Sequence, residues 1–262
     1  DRIYVYNRAL AYEALQDYER AIADYTTVIR IDPDYPSAYI GRSMAYGALG
    51  QWQKAVDDHS QVIRLWPDRA IPWVMRGEAY VTLGQIKRAM ADAEKAIALD
   101  PQLAPAYELR GLVHYTKHEH QLAIADFTKC LALDADGDRA RLLRTLCHIG
   151  EKNFGEALRD IELVMARLPL CVPAYGIRAT IYIAQRKWDL AIADCNTVIA
   201  AFPEEGFLYQ LRAKAFEGKC DRGHAQADSA RATQLGAGAD TEDAIKYLMG
   251  MATKPSEGIH KK

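Results

Sequence analysis

Seven arginines recur at intervals of 34 residues: Arg8, Arg42, Arg76, Arg110, Arg144, Arg178 and Arg212. Seven aspartates answer them at the same interval: Asp24, Asp58, Asp92, Asp126, Asp160, Asp194 and Asp228. A planar guanidinium meets a carboxylate through two parallel hydrogen bonds, so a matched set of this kind can fix how neighbouring segments align. The competing use, a cationic track for an anionic ligand, is opposed by the aspartates, which would claim the arginines and cancel their field. Each arginine lies 16 residues before one aspartate and, from Arg42 on, 18 after another. Lys246, the next step of the arginine series, favours pairing with the preceding unit's aspartate.

His114, His118 and His120, with Glu119, have the donor chemistry of a divalent-metal site, since residues four apart share a helix face. The 34-residue register opposes it. His114 stands where other copies have a tyrosine, His118 where two have Gly50 and Gly84, and His120 where one has Trp52, so the three are expected to point apart. Cys147 beside His148 could pair a nucleophile with a base, but adjacent helical residues face different ways. Cys130, Cys147, Cys171, Cys195 and Cys220 are odd in number and lack CxxC spacing; they read as small packing thiols and favour a reducing, cytoplasmic compartment. No glycine-rich phosphate loop follows a strand, and no strand is evident. Neither catalysis nor a metal or cofactor is expected.

The elements that carry these residues are best seen in the stretch from Pro36 to Arg69. Tyr39, Ser43 and Tyr46 are three or four residues apart, as are Trp52, Ala55, Val56, His59, Val62 and Ile63, which gives two amphipathic helices joined at Leu49, Gly50 and Gln51. Pro67 closes the second, because proline lacks an N–H and holds the residue before it extended. Pro33, Pro67, Pro101, Pro169 and Pro203 share this register, with Ala135 and Ala237 in the two remaining places. Ala21, Ala55, Ala89, Ala123, Ala157, Ala191 and Ala225 form a second file, where a small side chain lets helices approach closely.

A period of this length with small residues, aromatics and a closing proline resembles the tetratricopeptide repeat, over almost the whole chain. The resemblance implies an all-α, right-handed α-solenoid of seven helix pairs, 2–35, 36–69, 70–103, 104–137, 138–171, 172–205 and 206–239, followed by a capping helix over 240–253 and a polar tail over 254–262 expected to be disordered. One elongated body is expected rather than two globular domains. In repeat four Asp134, Ala135, Asp136 and Gly137 replace the proline turn, so its junction with repeat five is expected to be looser. Repeat five, with Arg141 and His148 at aromatic positions, is expected to be the least regular.

In that family the first helix of each pair lines a concave groove, with positions 2, 5, 9 and 12 facing it. Here the resemblance points to Tyr6, Leu10, Ile40, Met44, Val74, Glu78, Val81, Glu108, Leu112, Tyr115, Leu142, Leu146, Ile149 and Ile183, with Ile3 and Ile71 in the same series, as a largely apolar wall. The Lys and Asn set with which some members grip a C-terminal carboxylate is not present. A net charge of -2 without a basic block gives no bulk attraction to nucleic acid or anionic lipid. No run of about 18 apolar residues exists, so no direct membrane insertion is expected. The expected role is a non-enzymatic module that takes an apolar extended or helical segment of a partner protein or peptide in the groove. The alternative is a self-assembling scaffold, a homo-oligomer through the groove or the exposed repeat ends. With Asp1 rather than Met in first place, the sequence leaves open whether residues precede it.

Overall fold

The structure, a computed structural model, describes residues 1–237. Those residues form helices and turns with no strand. The helices are α1 (Arg2–Ala14), α2 (Tyr18–Ile31), α3 (Pro36–Ala48), α4 (Trp52–Leu65), α5 (Ala70–Thr82), α6 (Ile86–Leu99), α7 (Ala104–Thr116), α8 (His120–Leu133), α9 (Asp138–Gly150), α10 (Phe154–Arg167), α11 (Val172–Ala184), α12 (Trp188–Ala201), α13 (Gly206–Gly218) and α14 (Arg222–Gln234). Each odd-numbered helix and its successor make one antiparallel hairpin. The expected cap over 240–253, the tail over 254–262 and Lys246 lie outside the described residues.

The turn within each hairpin is three residues long and has one geometry throughout. Its middle residue is left-handed: Gln16 (φ 60°), Gly50 (70°), Gly84 (70°), His118 (59°), Lys152 (58°), Arg186 (58°) and Cys220 (63°). The next N–H returns to the helix it has just left, as Asp17 does to the Tyr12 carbonyl at 2.9 Å and Gln51 to that of Tyr46 at 2.8 Å, which satisfies an orphan carbonyl at the helix end. Only two of these seven positions carry glycine, so five turns hold a side chain where the Cβ is crowded.

Between hairpins the proline ends the second helix, and the aromatic that follows uses the proline's own carbonyl. Tyr107, Tyr175 and Tyr209 hydroxyls donate to Pro101, Pro169 and Pro203 at 3.1, 3.2 and 3.1 Å. The alanine file is buried in every repeat, and ring-on-glycine contacts tighten it. A Cβ at Gly111 would lie 2.8 Å from the Phe127 ring, and Gly41 is as closely covered by Tyr25.

The chain divides into two compact units, 1–135 and from 136 on, where one body is the expectation. The first holds α1 to α8 and the second α9 to α14; in each, successive helices pack, and first helices of neighbouring hairpins also meet, α1 with α3, α5 with α7, α9 with α11 and α11 with α13. The division falls at the turn that lacks a proline. In repeat five α9 and α10 keep the 13 and 14 residues of α3 and α4. Arg141 and His148 are both buried there, so an aliphatic stem and an imidazole fill the space of the rings they replace.

Candidate functional site

Each ladder arginine sits at the seventh residue of its first helix and each aspartate at the seventh of the second, equidistant from the left-handed turn residue. The antiparallel hairpin therefore brings them level. In all seven repeats Nε donates to Oδ2 and Nη2 to Oδ1 of the aspartate 16 residues on, at 2.6–2.9 Å. The preference for the preceding unit's aspartate drawn from Lys246 is thus wrong. Both oxygens of that aspartate are engaged by its own arginine, and what faces the next guanidinium across three of the repeat boundaries is a different residue. Arg42 Nη1 donates to Thr26 Oγ1 at 3.0 Å, Arg76 Nη1 to Ser60 Oγ at 3.2 Å and Arg212 Nη1 to Asn196 Oδ1 at 2.5 Å.

The forks are buried on the carboxylate side, every ladder aspartate being under one-tenth exposed. Rings flank the cations: Arg76 lies 4.9 Å from Trp73 and 5.6 Å from Tyr80, and Arg178 5.4 Å from Tyr175 and 5.9 Å from Tyr182. The bonds to Asp58 hold Arg42 above the usual guanidinium range, while burial pushes Asp58 up despite them. The arrangement neutralises itself and closes hairpins; it offers no anion track.

The candidate wall is mixed. Leu10 and Met44 are exposed, at 42% and 48%, and Ile3 and Ile71 more so, at 61% and 59%. Tyr6, Ile40, Glu78, Val81, Glu108, Tyr115, Ile149 and Ile183 are half-buried. Four of the expected groove residues, Val74, Leu112, Leu142 and Leu146, are buried. Val74 belongs to the core formed with Ala106 and Leu109 of α7, and Leu142 holds the same position on α9, the helix that meets α11. Tyr6 is drawn into ring contacts with Tyr25 and Tyr35, centroids 5.8 and 5.3 Å away. The accessible apolar wall of the first unit is therefore Ile3, Leu10, Met44 and Ile71, on three successive first helices. Position 2 of the period was the signal for two of them.

The histidines do not all point apart. His118 and His120 rings stand edge to face at 6.1 Å, while His114 turns away to Glu119, Nδ1 to Oε2 at 2.6 Å. Lys117, then His114, holds the Glu119 carboxyl below its ordinary value. Among the described residues no three His, Cys, Asp or Glu side chains are grouped to hold a metal ion. Burial pushes the Cys147 and Cys195 thiols up to about 12 and Cys171 up as well, which leaves them protonated and poorly nucleophilic. Cys220 is exposed in its turn. No described helix is long and apolar enough to cross a membrane.

Helical hairpins repeating every 34 residues, with a proline at five of the six boundaries between them, define the class. Models of the tetratricopeptide repeat match residues 5–35, 71–103 and 104–136. Solved structures share the fold. A tetratricopeptide repeat protein from Parabacteroides merdae superposes with a TM-score of 0.70 at 22% identity, over 97% of this chain and 99% of that one. The Cut9–Hcn1 hetero-tetramer of the APC/C gives 0.74 at 18% identity over 82% of this chain, which spans only 42% of the matched chain. YrrB, described as having an unusual peptide-binding site, gives 0.50 at 21% identity over 66% and 90%. No curated protein matches the sequence. The matched residues carry tetratricopeptide repeats, units that generally serve as protein-interaction and scaffold modules, and the solved structures show that the chain shares the fold.

Proposed function

We propose that this chain is a non-enzymatic interaction module whose first unit binds an apolar extended or helical segment of a partner protein along α1, α3 and α5. The observation that carries the reading is the exposure of Ile3, Leu10, Met44 and Ile71 on those helices. A neighbouring repeat protein is itself described as peptide-binding. Isolated exposed apolar residues are ordinary, but a row on adjacent elements is the kind of patch that marks an interaction site. The ladder serves this role indirectly, since a wall of separate hairpins presents a fixed surface only when each hairpin is closed.

Selection from a displayed library of 12-residue random peptides tests this. Peptides rich in Leu, Ile, Phe or Met should emerge, and their affinity should fall at least tenfold against Met44→Glu/Ile71→Glu while that variant melts with the wild type. Recovery of no binder, or binders indifferent to the two substitutions, refutes the reading.

A further inference from the structure

We infer that residues 240–253, which lie outside the described residues, dock along the groove face of α13 and close that stretch of the second unit's wall to partners. The starting point is burial that no described helix accounts for. On α5, Val74 at position 5 of its repeat is covered by Ala106 and Leu109 of α7, the first helix that follows. Tyr6 and Ile40, at the same position and also followed by a first helix, are only half-buried. No first helix follows α13 among the described residues, yet Gln210 at this position is 7% exposed, and its amide nitrogen and oxygen are both enclosed without a hydrogen-bond partner. Buried polar atoms are nearly always paired, so Gln210 marks where a further segment seats. Phe207, one turn earlier, is 4% exposed, whereas Ile3 and Ile71 at its position are 61% and 59% exposed.

The path of the chain after α14 leads to the same place. Leu235 and Ala237 lie on the first residue of α13: a Cβ at Gly206 would come within 2.9 Å of the Leu235 Cβ and 3.0 Å of the Ala237 Cβ. The following residues are thus delivered beside Phe207, and their sequence suits the contact. Asp240, Thr241, Glu242 and Asp243 supply the capping side chains and acidic first turn of a helix. Thr241, Ile245, Leu248, Met249 and Ala252 then recur three or four residues apart on one face. As a helix, residues 240–253 span about 21 Å, a match for the 13 residues of α13. The apolar stripe covers Phe207 and the stem of Gln210, and the Thr241 hydroxyl, able to donate and to accept, is its polar member for the Gln210 amide.

The segment does not stack as an eighth first helix. Such a helix would also pack on α14, which is not built for it: where α12 has Trp188, Ile192 and Cys195, α14 carries Arg222, Gln226 and Ser229, all exposed. Contact with α13 and not with α14 sets the segment in the groove. There it is an intramolecular ligand, and a partner helix with the same apolar spacing gains the α13 wall only by displacing it.

Thiol labelling of the full chain tests the contact. With Cys220, which is exposed, replaced by serine, Gln210→Cys should react at least tenfold more slowly than it does once Ile245→Glu/Leu248→Glu is added. Gln226→Cys on α14 should react at one fast rate in both backgrounds. Equal rates at position 210 overturn the inference; so does slow labelling at position 226 that the two glutamates relieve, which would stack the segment on α14. Hydrogen exchange of the unsubstituted chain leaves α13 untouched: amides of residues 244–252 should exchange at least tenfold more slowly than in a synthetic peptide of residues 238–262. Exchange at the peptide's own rate overturns the inference.

Discussion

His59 should make the first unit acid-labile. It is 5% exposed in α4, its Nδ1 has no hydrogen-bond partner, and Arg76 is the charged group that acts on it. Burial first, then the Arg76 charge, lowers its pKa from 6.5 to about 4. A base whose folded pKa is lowered stays neutral in the fold while the unfolded chain takes up a proton. Stability is therefore full above about pH 7 and is lost as pH falls from 6.5 toward 4. Between pH 7.5 and 5.0 the loss from this residue alone is about 2 kcal/mol, from 1.36 kcal/mol per unit of pKa difference. His59→Phe is the matching variant, because Tyr25 and Phe127 hold the same place in their hairpins and both are fully buried. At pH 7.5 it should gain about 1 kcal/mol by removing the orphan nitrogen. Urea unfolding followed by tryptophan fluorescence suits the test, since Trp52, Trp66 and Trp73 lie in the first unit and only Trp188 in the second. The advantage of His59→Phe over wild type should grow by about 2 kcal/mol at pH 5.0. Carboxylates common to both proteins cancel in that difference, so an advantage that does not change with pH would refute the argument.

Three further outcomes follow from the same geometry. Arg76→Ala leaves Asp92 buried without its fork and should cost about 3 kcal/mol in urea unfolding, whereas Arg76→Met/Asp92→Leu should recover most of it. Lys152→Gly relieves a side chain held at φ 58° and should stabilise by about 0.5–1 kcal/mol, with Gly84→Ala costing a similar amount; equal midpoints for wild type and variants would contradict the strain. Leu112→Glu places a carboxylate at a 3% exposed site and should destabilise by about 3 kcal/mol or more, visible as lost helical signal at 25 °C, so that unchanged melting would return Leu112 to the wall.

The hairpins were legible in the sequence because their determinants are local. Pro67 lacks the N–H that would continue the helix before it, and the alanine file marks the close approach without reference to the rest of the molecule. The exposure of a first-helix residue is not local in this sense. Position 9 holds Leu10, Met44, Leu112 and Leu146, four apolar residues in one register, yet they are 42, 48, 3 and 6% exposed. No pattern within a single repeat distinguishes them; the answer depends on what packs beside each helix, as α7 does on Val74. The direction of the ladder escaped for a related reason. Spacings of 16 and 18 both place an aspartate level with the arginine, and only the side of the guanidinium that faces each helix decides between them.

That decision has a consequence for how the repeats cooperate. Because both charged bonds of each fork stay within one hairpin, closure of a hairpin does not depend on its neighbour being folded. Coupling across a repeat boundary falls to apolar packing, to bonds such as those of the Tyr107, Tyr175 and Tyr209 hydroxyls to proline carbonyls, and to the ladder arginine's remaining donor, Nη1. The partner of that donor varies, Thr26, Ser60 and Asn196 accepting from Arg42, Arg76 and Arg212. Glu94, at the same place before Arg110, acts on it through its charge. The invariant bonds are thus spent on making hairpins, and the variable ones on joining them. In a repeat array, whose stability is approximately a sum of unit and nearest-neighbour terms, this lets boundary strength change by single substitutions while every hairpin keeps its lock. It also accounts for Arg and Asp at all seven ladder positions beside a boundary residue that is a hydroxyl, an amide or a carboxylate according to the repeat.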